Sequence, residues 1–171
     1  MLRSAMGYLA AADATAMEAA TQAQCLRTLE QLHAIETAAR ASVLGALASS
    51  GSGETSARQR AWLARETGVT TGAATGHAAW ARRAAEHPQV TEALAEGHRL
   101  SESVARTICT WTGKLPADCR VAADAILIVA AKSGANVRDL AEVFGGIYTL
   151  ARPRPGLVPA PEPAVISTVA I

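Results

Sequence analysis

A chain of 171 residues is long enough for one domain with a true core and too short for two. Half of its residues are apolar but only 4% are aromatic, so a core has to come from close approach of alanine-bearing helices rather than from large rings. A formal net charge of +1 excludes capture of nucleic acid by a global basic field, and any such contact must rest on a local patch.

The first predicted element is a long helix from about Asp13 to Ala48. Met17, Leu26, Leu29, Leu32, Ile35, Ala39, Val43 and Leu47 recur at spacings of mostly three and four and form a one-sided stripe, with Asp13 placed to cap the start. Ser49 to Ser56 reads as a loop, because its glycines cannot sustain a helix and its serines compete for the backbone. A second helix is expected from about Ala57 to Glu66, stopped by Gly68, and a third from a Thr70 or Thr71 cap to Glu86, where His87-Pro88 breaks it. Trp80 is the expected anchor of that third helix.

A short fourth helix begins at Pro88 and stops at Gly97, and Ser101 caps a fifth that carries Val104, Ala105, Ile108 and Trp111 on one side. Pro116 fits the first turn of a sixth, whose Val121, Ile126, Ile128 and Val129 are expected at the centre of the core. Asn136 with Asp139 imitates a capping box for a seventh helix, Val137 to about Leu150, with Leu140, Val143, Phe144 and Ile147 inward. The fold class expected is all-α: one multi-helix domain over residues 1–151, with a long N-terminal helix and a helix-turn-helix-like hairpin. Residues 152–171 read as a proline-rich tail or truncated linker, and "AVISTVAI" at its end as an unpaired, disordered segment.

Side chains suited to catalysis are sparse. The histidines, His33, His77, His87 and His98, form no metal-ligand pair and read as solvent-facing or loop residues. Cys25, Cys109 and Cys119 are odd in number and far apart, which suits neither disulfides nor zinc, and they read as buried small residues in a reducing compartment. Acid pairs such as Glu92 with Glu96 read as a solvated face. No catalytic residue, metal site or cofactor is assigned, and the chain is expected not to be an enzyme. No leader is expected at the start of the chain, where Asp13 and Glu18 interrupt the apolar residues, and the longest apolar run, Ala125 to Ala131, is too short to cross a bilayer. A cytoplasmic location and no membrane partner are expected.

The stretch Leu63 to Arg83 has the layout of a helix-turn-helix, with Gly68 at the turn. Its would-be recognition helix opens on Thr71, Gly72, Ala73, Ala74 and Thr75, which offers little to read bases with, so a tightly packed hairpin is favoured. Arg58, Arg60, Arg65, Arg82 and Arg83 are the candidates for DNA phosphate contact, with Thr71 and Thr75 nearest the bases.

Trp62-Leu63 before Thr67-Gly68, the run Ala93 to Gly97 leading to Leu100-Ser101 and Ala105-Arg106, and Leu115-Pro116 before an apolar helix together resemble an actinobacterial helical domain of unknown function. That domain commonly precedes an HNH endonuclease domain, and the resemblance covers roughly Leu26 to Leu150. It implies an all-helical module that positions DNA for a nuclease. Members of that family carry arginines near the positions held here by Thr75, Gly76 and His77, and no His-rich metal-binding segment follows Ala151. The expected function is therefore a non-catalytic module that binds or positions double-stranded DNA with weak specificity. The alternatives are a protein-interaction module that forms a homo-oligomer through the long N-terminal helix, or the remnant of a longer nuclease.

Overall fold

Alanine-rich amphipathic runs separated by Gly, Pro and Ser leave the backbone few alternatives to helix. The computed structural model describes residues 2–50 and 56–151 and contains no strand among them. Its helices are α1 (Leu2–Ala11), α2 (Ala19–Ser50), α3 (Ser56–Thr67), α4 (Thr71–Glu86), α5 (Pro88–Ala95), α6 (Glu102–Thr112), α7 (Ala117–Lys132) and α8 (Val137–Ala151). No described helix is long and apolar enough to cross a membrane. The tail, with its expected disorder, and most of the loop after Ser49 lie outside the described residues.

Most boundaries sit where local chemistry puts them. Thr70 caps α4 by accepting from Ala73 N at 3.2 Å, and Ser101 caps α6 by accepting from Val104 N at 3.3 Å. The capping box before α8 is reciprocal: Asn136 Oδ1 accepts from Arg138 N and Asp139 N, while Asp139 Oδ2 accepts from Asn136 N. The N-terminus differs from expectation. Residues before Asp13 form a helix of their own, and Asp13 caps only the short 3-10 turn Ala14–Ala16, so α2 starts later, at Ala19.

Helices α4 and α5 cross the inner side of α2, α3 packs on α4, and α5, α6, α7 and α8 complete the body. Leu94, Ile108, Leu127 and Leu140 are wholly buried where these helices meet. Each such leucine or isoleucine contributes on the order of 1.5–3 kcal/mol by leaving water.

Two faces are arranged differently from the sequence pattern. The large-residue stripe of α2 is not its buried face, which is Ala34, Thr37, Ala38, Ala41 and Leu44. Small side chains let α4 and α5 approach α2 closely, and the larger Leu26, Ile35, Val43 and Leu47 are left exposed. The α7 helix is likewise peripheral: Ala123, Asp124, Leu127, Ile128 and Ala131 face inward, while Val121, Ile126 and Val129 face solvent, Val129 at 68%. A run apolar on all sides predicts a central helix only when neighbours cover every side, and here α5, α6 and α8 cover only one.

Candidate functional site

The outer side of α2 forms the floor and one wall of an apolar groove of about 1000 Å3. Leu29, Leu32, Ala39, Val43 and Leu47 contribute from α2, Trp62 and Leu63 from α3, and Met6 from α1. Two sides of α2 are thus apolar: mostly small residues, with Leu44, fill the core, and mostly large ones line the groove. The few polar lining groups cluster near the middle. Arg40 pairs with Glu36 one turn away, and its Nη1 donates to His77 Nε2 on α4 at 2.8 Å. His33 Nδ1 lies 3.8 Å from Glu36. Burial first, and the Arg40 charge second, hold the His77 pKa below its ordinary value of 6.5. Near neutral pH the imidazole is uncharged, and Arg40 is the cation at that point of the groove.

On the far side of α4 a polar cluster lies inside the core. His87, between α4 and α5, meets Asp124 of α7 at 2.8 Å between Nδ1 and Oδ2, and Thr112 at the end of α6 donates to Asp124 Oδ1 at 2.6 Å. Thr112 Oγ1 also lies 3.0 Å from Ile108 O, and all three side chains are buried. The carboxylate can only accept, so Nδ1 carries the proton facing it. His87 Nε2 is buried without a hydrogen-bond partner. This cluster ties together α6, α7 and the α4–α5 junction. The sequence reading of His87 as a solvent-facing or loop residue is half right: it stands in a connection, but sealed inside the core. A polar residue just before proline carries no periodicity from which its burial could be read.

The cysteines also differ from one another. Cys109 is buried, and burial together with Asp124 pushes its thiol up to about 12, so it is protonated and unreactive. Cys25 and Cys119 are only half-buried, against the expectation of three buried cysteines, because they stand where the helices are covered on one side. Among the described residues no group of His, Cys, Asp or Glu is placed to hold a metal ion. Glu96 pairs with Lys132 of α7 at 2.6 Å rather than with Glu92.

The arginines picked out for phosphate contact lie on more than one face of α3 and α4. Arg58 and Arg65, seven residues apart, share the outer face of α3, whereas Arg60 is turned about 160° from Arg58 and is half-buried. Arg65 pairs with its neighbour Glu66 at 3.1 Å. On α4, Arg82 is exposed, and Arg83 donates to Thr110 Oγ1 of α6 at 3.3 Å. Thr71 and Thr75 are exposed at the start of α4, and the Thr75 hydroxyl donates back to Thr71 O at 2.8 Å. Arg106, absent from the sequence-based set, lies over the Trp80 ring with Cζ 4.6 Å from its centroid and pairs with Glu102. Comparison with family models, with curated proteins and with solved structures finds no match.

Proposed function

We propose that this chain is a helical protein-interaction module whose working surface is the apolar groove along α2. The observation that carries this reading is the inversion of α2: its large apolar side chains line an open groove while its alanines fill the core. A soluble helix exposes so continuous a row of leucine and valine at a cost, and a second apolar surface laid on it removes that cost. The groove runs beside α2 and α3, a shape suited to one α-helix with an apolar stripe. Kinship with the helical domain that precedes HNH nucleases, expected from the sequence, would place such a surface next to a catalytic domain.

Trp62 is a built-in reporter, since it lines the groove and is partly exposed. The test is titration of the dilute chain with a 20-residue amphipathic helical peptide bearing leucines at spacings of three and four. A saturable blue shift of tryptophan emission that disappears in Val43→Glu supports the reading. No shift with the wild-type chain, or an equal shift in Val43→Glu, overturns it.

The second reading, weakly specific contact with duplex DNA, is supported by one feature of α4. Its exposed side is built from Gly72, Thr75, Gly76 and Ala79 and leads to Arg82. So low a surface lets a phosphate backbone approach the helix closely, with arginine at one end. In this reading Arg82 and Arg83 hold phosphates, Arg58, Arg60 and Arg65 add charge from α3, and Thr71 and Thr75 lie nearest the bases.

A further inference from the structure

The occupant of the groove can be named from the groove's own chemistry. Leu29 and Leu47, near its two ends, have their midpoint at the level of residue 38 of α2. Glu36 and Arg40, which also line the groove, share that midpoint. A surface with this arrangement is complementary to itself when a second copy is laid on it antiparallel. The two-fold axis then passes through the level of residue 38, each Leu29 meets a Leu47, and each Glu36 meets an Arg40.

We propose that the groove is filled by α2 of a second copy of this chain, packed antiparallel to form a symmetric dimer. The proposal rests on the reading of the groove as an interaction surface. In the single chain Glu36 and Arg40 pair with each other and Arg40 also touches His77, so the charges enter the interface already partnered. Across the axis they form a four-charge network, which leaves no isolated charge in an apolar contact. The α3 wall bearing Trp62 closes over the incoming helix, and the two copies together present α2, α3 and their symmetry mates as a four-helix layer.

The size is sufficient but modest. From Leu29 to Leu47 the contact runs about 27 Å, and with the α3 wall it is about 20 Å wide. That footprint lies at the small end of specific interfaces, for which roughly 800 Å2 of accessible surface per partner is standard, so dissociation in the micromolar range is expected. The exposed apolar ridge on α7, from Val121 to Val129, is only about 12 Å long and would fill less than half of the groove.

The test is sedimentation equilibrium of the full chain from about 1 to 200 µM, bracketing micromolar dissociation. The mass is expected to climb from 17.6 kDa toward twice that value. Glu36→Arg and Arg40→Glu, made separately, set like charges face to face and should each weaken the dimer by about tenfold or more. The double variant restores the opposition and should recover dimerisation. Circular dichroism of each variant separates loss of the dimer from loss of helix. A chain that stays monomeric throughout, or a dimer indifferent to both single reversals, overturns the proposal. A monomer whose Trp62 still responds to the amphipathic peptide refutes self-pairing alone and leaves the groove as a site for a different helix.

Discussion

Asp124 is the residue on which the interior depends most heavily. It is a carboxylate 2% exposed, and its two oxygens accept from His87 and from Thr112. Burying such a group is costly unless both oxygens are matched, and removing it strands the His87 Nδ1 donor in an apolar interior, while Thr112 can turn to Ile108 O. Asp124→Ala is expected to lower unfolding free energy by about 3–5 kcal/mol, as for other broken buried pairs. Thr112→Val keeps the His87 contact and loses one donor, so a smaller loss of about 1–3 kcal/mol is expected. Urea unfolding followed by helical circular dichroism measures both, and equal losses would refute the ranking. Asp124 was invisible in advance because it sits in an apolar run, where an isolated acid reads as surface punctuation.

Helix contacts are set by the size of the residues that touch, and Gly97 marks a close one. It has a φ of +66°, and a Cβ there would lie 2.7 Å from Ile35 Cδ1 and 3.3 Å from the Gln31 carbonyl oxygen of α2. Gly68, in the α3–α4 turn, has a similar φ of +69° but nothing within 4 Å of such a Cβ. Gly68→Ala should therefore cost only the left-handed backbone term, about 1–2 kcal/mol. Gly97→Ala adds a steric term against α2, for about 2–5 kcal/mol in all. Thermal unfolding of the pair isolates the steric part, and equal shifts would show that α2 yields without cost. The same closeness explains why alanines, rather than leucines, of α2 meet α4 and α5.

Charge gives little at the scale of the whole molecule. With a net charge of +1 and the arginines divided among separate faces of α3 and α4, one docked duplex would meet only two or three of them. The DNA reading accordingly predicts a shallow dependence, with log affinity falling by roughly 2–3 per tenfold rise in salt. Replacing Arg82 and Arg83 together by alanine should reduce that slope by about 2. Fluorescence anisotropy with a labelled duplex between low and moderate salt checks this, and absence of binding at low salt removes the DNA reading. A much steeper slope would require the arginines to act on one surface, contrary to their placement.

The sequence by itself determined the helices and their ends. Caps at Thr70, Ser101 and Asn136 and stops at Gly68 and Gly97 are local effects that act within a turn or two of backbone, and they fall where the residues indicated. It also exposed the raw material of the groove, since the stripe from Leu29 to Leu47 is plain in the spacing. Which side of α2 faces inward was decided only by tertiary packing. Both sides are apolar enough to be buried, and the choice went to the alanines because two helices had to approach closely. The same physics left α7 half uncovered, split the arginines among faces, and sealed His87 with Asp124 across 37 residues of chain. Periodicity states which residues share a face, but only the neighbours determine what that face meets.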